Sequence, residues 1–174
     1  MNLRKLSVVF VCTHSNFCIL AKKSMEISVS KLNRFLFFKL PSAFICGVRV
    51  KSIDKEKCVV TVKHRWINQN PFNSMYFAVQ AMAAELTTGA MVMGKIAKSG
   101  KKISMLVANN KSNFSKKATG RITFVCQDGN LIDDAIQKTI ADGEGQTFWM
   151  KSIGTNEEGL QVSEMDFEWS IRLK

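Results

Sequence analysis

The sequence predicts an α+β domain, an antiparallel β-sheet packed around one long central helix, with a further helix leading into it. Three observations carry that prediction. The last stretch alternates, with Met165, Phe167, Trp169, Ile171 and Leu173 on one face and Asp166, Glu168, Ser170, Arg172 and Lys174 on the other, the pattern of a strand with one wet face. A middle segment carries Met75, Tyr76, Phe77, Val79, Met82, Ala83 and Leu86, apolar nearly all round, as a helix buried on most sides must be. Between these lie short segments rich in β-branched residues and separated by polar turns.

In chain order, Val29, Leu32, Phe35, Leu36 and Phe38 recur near helical spacing from Met25 on, and Pro41 ends the pattern. Residues 43–52 and 57–65 read as two strands of a hairpin about the turn Asp54-Lys55-Glu56. Asn70, Pro71 and Asn73 punctuate the chain before the central helix, residues 74–89, with Asn73 or Ser74 as its N-cap and Gly89 as its end. Residues 91–97, 103–114 and 121–127 then read as strands, the first two about a Ser99-Gly100-Lys101-Lys102 turn. A short helix over residues 130–141 has Asp133 and Asp134 in its first turn, Gly143 after its last, and a stripe of Ile132, Ile136 and Ile140. Residues 146–153 pair with the final strand across Glu157-Glu158-Gly159.

With 174 residues, 46% hydrophobic content, 22% charged residues, 2 Pro and 10 Gly, the chain suits one cored domain and excludes disordered and collagen-like classes. Residues 25–174 are read as that domain and residues 1–24 as a poorly ordered or mis-started extension, because Met25 opens the first well-patterned segment. No stretch suits a membrane-spanning helix. Five widely spaced cysteines, Cys12, Cys18, Cys46, Cys58 and Cys126, form no metal-ligand pattern with His14 or His64 and read as reduced thiols of a cytoplasmic protein. Neither a metal nor a cofactor is expected.

The net charge of +11 is uneven. Residues 1–120 hold 20 basic and 4 acidic side chains, the remainder 5 and 10. Such a field serves nucleic acid, an anionic membrane surface or a phosphate-bearing ligand, or is simply a basic soluble surface, and charge alone does not choose. No nucleic-acid motif accompanies it, so no specific nucleic-acid partner is expected.

The 29 residues between Arg65 and Lys95 contain one charged side chain, Glu85. A carboxylate on so apolar a helix is exposed, paired, raised in pKa or poised in a cleft for acid–base work, and composition leaves those alternatives open. The surrounding residues carry a resemblance. Asn70-Pro71-Phe72-Asn73-Ser74-Met75-Tyr76-Phe77-Ala78 followed by Glu85 resembles, without gaps, the N-P-x-G-x-x-H-G-G loop, helix and acid of hotdog-fold thioesterases of the phenylacetyl-CoA type. The order of elements over about 150 residues resembles a thioesterase-like branch of that superfamily. Asn73 stands where those proteins have Gly, and Tyr76-Phe77-Ala78 where they have His-Gly-Gly.

The resemblance implies a hotdog fold and hydrolysis, or binding, of an acyl thioester carried by coenzyme A or an acyl carrier. It implies Glu85 as general base or nucleophile, Asn70 as its polar partner, and backbone amides near Tyr76 and Phe77 as the oxyanion hole. Asn73, Tyr76, Phe77 and Thr88 would line the substrate site. Lys116 and Lys117 would meet its phosphates, within a stretch, residues 95–117, that has seven lysines and no acid. Tyr76 and Glu85 lie nine residues apart, about 13 Å along a helix, so one carbonyl can meet both elements only in a composite site. A homodimer, or a homotetramer of such dimers, is therefore expected. The alternative is a non-catalytic module that binds acyl-CoA or lipid, which loss of the glycines favours.

Overall fold

The computed structural model describes residues 28–174. The expectation for residues 1–24 lies outside that range. Helix α1, Val29–Lys39, starts where the Ser28 hydroxyl accepts the Lys31 amide, 3.3 Å away, and it buries Leu32 and Leu36. Pro41 does not merely stop it: with φ preset and no amide to lose, it opens a second short helix, α2, Pro41–Ile45. The first expected strand is thus half as long as its composition suggested, and residues 43–45 are helical.

Strands β1, Arg49–Ile53, and β2, Cys58–Lys63, form the expected hairpin, its turn ordered by Asp54 Oδ1 accepting the amides of Glu56 and Lys57, each at 2.8 Å. Then follow helix α3, Phe77–Ser99, strand β3, Ile103–Phe114, strand β4, Arg121–Cys126, helix α4, Gly129–Asp142, and strands β5, Gln146–Thr155, and β6, Gln161–Leu173. The six strands form one antiparallel sheet in the order β1-β2-β4-β5-β6-β3. Helix α3 packs across one face of the sheet and supplies Val79, Ala83, Ala84, Leu86, Ala90, Met91 and Val92 to the core. The polar Thr87, also fully buried there, donates to the Ala84 carbonyl at 2.6 Å and shares a hydrogen bond with Ser152 Oγ of β5 at 2.9 Å.

The central helix departs from expectation at both ends. It continues through residues 91–97, which had read as a strand, and stops at Gly100, whose left-handed backbone (φ 68°) caps it. Gly89 is interior. A Cβ there would lie 2.9 Å from Glu85 Oε1 and 3.1 Å from the ring of Trp169, so glycine answers a packing need rather than ending the helix. The N-cap is Tyr76, not Asn73 or Ser74.

The two sheet edges are treated differently. On β1, Asn33 of α1 exchanges two hydrogen bonds with Val50, its Nδ2 donating to the carbonyl and its Oδ1 accepting the amide, both at 3.0 Å. On the far side β3 pairs only with β6, leaving a twelve-residue edge open.

Candidate active site

The loop before α3 is organised by two asparagines. Asn70 Oδ1 accepts the amides of Phe72 (2.9 Å) and Ser74 (3.2 Å), and its Nδ2 contacts Ser74 Oγ at 3.0 Å, so the side chain holds a tight turn. Inside that turn Asn73 has φ 55°, the left-handed region that glycine enters freely and asparagine tolerates best among residues with a side chain. The Asn that stands in place of the expected Gly therefore preserves the backbone.

Asn68, which no sequence pattern singled out, anchors the loop to the sheet. It is buried, its Nδ2 donates to the carbonyls of Cys46 and Lys63 (both 2.9 Å), and its Oδ1 accepts the Arg65 amide at 2.8 Å. Its own carbonyl accepts the Tyr76 amide at 2.9 Å. Replacing Asn68 by Ala strands these buried groups, and we expect a loss of about 3 kcal/mol or more in denaturant unfolding. An unchanged midpoint would mean that water replaces the side chain without cost.

That last bond corrects one expectation. The Tyr76 amide is occupied and is not part of an oxyanion hole. Val79 and Gln80 donate back to the Tyr76 carbonyl, at 3.0 and 3.3 Å, while the amides of Phe77 and Ala78 donate to no acceptor among the described residues. The helix thus presents two adjacent free N–H groups at its positive end.

Beside them is a groove of about 330 Å³, lined by Asn70, Phe77, Gln80, Phe114, Lys116 and Lys117 among others. Lys117 Nζ reaches the Phe72 carbonyl at 3.3 Å, and Lys116 lies exposed on the rim. Gln80 is buried. Its Nε2 donates to the Met75 carbonyl at 3.3 Å, which fixes the amide's orientation and leaves Oε1 without a partner.

Of the expected site residues, the structure brings together Asn70, Phe77, Lys116 and Lys117. Asn73 and Tyr76 are exposed and do not line the groove. Thr88 is wholly buried, its hydroxyl donating to the Glu85 carbonyl at 2.9 Å and accepting from Trp169 Nε1 at 3.0 Å, so within the chain it has no access to a substrate. Trp169 had read only as a core residue. Its ring in fact stands against Gly89, beside the Glu85 carboxylate.

Glu85 is not in the groove either. It is largely buried about two turns beyond the Phe77 and Ala78 amides on α3, and among the described residues its carboxylate has no hydrogen bond or ion pair. Burial raises its pKa above the ordinary value. A desolvated carboxylate without a local partner is poised to hold or take up a proton.

Other chemistry is sparse. Cys46, Cys58 and Cys126 are free thiols, and Cys58 and Cys126 face each other across β2 and β4. Burial pushes both to about 12, which leaves them inert as nucleophiles. Among the described residues no group of three His, Cys, Asp or Glu could hold a metal ion, and no helix is long and apolar enough to cross a membrane.

The family described as a domain of unknown function, DUF4442, matches residues 30–171. The chain belongs to this family. No protein in the curated set matches its sequence significantly. Solved structures do match. A Pseudomonas aeruginosa protein described as a probable thioesterase superposes with a TM-score of 0.70 at 19% identity, covering 83% of this chain and 96% of its own. A Chlorobaculum tepidum protein of unknown function gives 0.73 at 17%, covering 84% and 94%. A Haemophilus influenzae thioesterase gives 0.63 at 10%, covering 84% and 91%. At such identities the likeness establishes the fold: this member of the family is a hotdog protein, with the sheet and long central helix expected from its sequence.

Proposed function

We propose that the chain is an acyl-thioester hydrolase that works as a homodimer, its substrate an acyl group carried on coenzyme A or an acyl carrier. The observation that carries this reading is the pair of free amides at Phe77 and Ala78, opening beside a groove with a cationic rim. Two preorganised N–H donors suit a carbonyl oxygen that becomes an oxyanion. Lysines at the rim, Lys116 and Lys117, suit the phosphates of a carrier.

In this mechanism the thioester oxygen accepts from the two amides, and Glu85 takes a proton from water as that water attacks the carbonyl carbon. The tetrahedral intermediate collapses, the C–S bond breaks, and the departing thiolate receives the proton from Glu85. Direct attack by the Glu85 carboxylate, with later hydrolysis of the anhydride, uses the same groups. Asn70 serves by holding the loop that aims the amides.

Because the Phe77 and Ala78 amides lie eight and seven residues before Glu85 on one helix, about 10 to 12 Å along its axis, the active site is formed between subunits, the amides of one and the Glu85 of the other. The unpaired edge of β3 supports the dimer, since a twelve-residue strand left open is a template for a second copy. A tetramer would place two such dimers together.

Release of free thiol from short, medium and long acyl-CoA substrates tests the proposal. Turnover on at least one chain length is expected, with a Mg-independent rate that saturates with substrate. Tight acyl-CoA binding without turnover across the panel would instead support a non-catalytic module, with Phe77 at the groove rim obstructing approach to the amides.

A further inference from the structure

The other edge of the sheet carries a surface that thioester chemistry does not use. Phe37 and Phe38 at the end of α1 are 52% and 69% exposed, and Ile45 at the end of α2 and Trp66 after β2 are exposed as well. They are not scattered. The Phe37 ring meets those of Phe38 at 4.8 Å and Phe44 at 5.0 Å, and the Arg49 guanidinium stands 3.6 Å from the centre of the Phe44 ring. Arg49 is fixed there by donating to the carbonyls of Phe44 (2.8 Å) and Val48 (2.7 Å). Arg65, next to Trp66 in the chain, lies over Gly47, where a Cβ would collide with its guanidinium.

Neither arginine makes an ion pair among the described residues. Residues 28–53 contain five Lys or Arg and no Asp or Glu. Large aromatic rings set among unpaired cations are the side chains that enter the boundary between lipid headgroups and acyl chains. Their guanidiniums pair with phosphate oxygens while the rings bury against hydrocarbon.

We propose that the face formed by α1, α2 and the residues after β2 docks on an anionic membrane surface. A second copy is a poor occupant, because a two-fold contact would set the Arg49 and Arg65 of one copy against those of the other, and residues 28–53 hold no acid to pair them. A strand-adding partner at β1 would compete with Asn33, which already satisfies the Val50 amide and carbonyl. The face lies at the opposite end of the sheet from the open β3 edge, so docking and dimerisation do not compete. The proposal is independent of the hydrolase reading and stands or falls without it.

Co-sedimentation of the full chain with vesicles tests it. Binding to phosphatidylcholine vesicles that contain phosphatidylserine is expected, with little to phosphatidylcholine alone and with loss in about 0.5 M salt. The double variant Phe37→Ser, Phe38→Ser is expected to weaken partitioning at least about tenfold. Arg65→Glu should do the same, whereas Lys101→Glu, an equal charge change beyond the far end of α3, should cost less than about threefold. If the double variant fails to fold by circular dichroism, the two charge variants decide alone. Equal losses in both, equal binding to neutral vesicles, or no binding to the anionic ones would overturn the proposal. So would a wild-type dimer that the Phe variant dissociates in the absence of lipid, which would assign the face to a second copy.

Discussion

Replacing Glu85 by Gln is expected to lower thioester turnover by about 10²- to 10⁴-fold while leaving acyl-CoA binding within a few-fold, the signature of a lost general base rather than a lost contact. The same substitution should stabilise the protein at neutral pH. Burial raises the Glu85 pKa, so the native state holds this proton where the unfolded chain has released it. Wild-type stability therefore falls as pH rises from the unfolded carboxyl pKa, about 4.3, through the raised native value. Gln carries no titrating proton and removes that fall. Thermal melts should show the variant more stable than wild type near pH 7.5 and matching it near pH 4. Ionised Glu85 is the active form in this mechanism, so the acid limb of kcat/KM should lie above the ordinary carboxylate range. A variant that is less stable at pH 7.5 would mean that the carboxylate has an unseen partner in the assembled protein.

The second large effect concerns a backbone donor. Phe77 is the first residue of α3, and Tyr76 before it is extended, with φ −60° and ψ 137°. Proline fits both requirements, since it is tolerated at the first helical position and favours an extended predecessor. Phe77→Pro thus deletes one of the two free amides with little harm to the helix, and Phe77→Ala removes the same ring but keeps the amide. We expect kcat to fall about 10²- to 10³-fold in the proline variant and less than about tenfold in the alanine variant, with melting temperatures of the pair within a few degrees. Equal activity in the two would remove the Phe77 amide from the mechanism.

The chain announces part of this architecture and hides the rest. Strand β6 and helix α4 were legible because each buries an apolar stripe and each ends in ordinary cap or turn chemistry, although the last residue of the stripe expected for α4, Ile140, is exposed and Ile132, Ala135 and Ile136 carry the burial. Glu85 was legible as the single charge in 29 residues, and its burial is the reason that it stands out. The length of α3 was not. Gly89 reads as a stop, yet tertiary packing placed it there to clear Trp169 and the Glu85 carboxylate, and the apolar residues beyond it suit a buried helix as well as a strand. Asn73 and Ser74 have the chemistry of N-caps but are spent on the turn that Asn70 organises. Asn68 left no pattern in the sequence, because its partners are backbone groups, the Arg65 amide and the Lys63 carbonyl nearby and the Cys46 carbonyl 22 residues away, which any residue could supply. The Tyr76 amide is occupied by the Asn68 carbonyl, which is why the oxyanion candidates moved one residue along the helix.

The central claim is that one active site draws its amides and its carboxylate from two subunits. Mixing inactive subunits tests it most directly. Phe77→Pro and Glu85→Gln proteins, unfolded together in equal amounts and refolded, should reassort so that half of the dimers are mixed. Each mixed dimer then holds one intact site, and activity should return to about a quarter of the wild-type value. Activity no greater than the average of the two separate variants, in a sample shown to contain mixed dimers, would contradict a shared site and return Glu85 and the helix amides to separate roles.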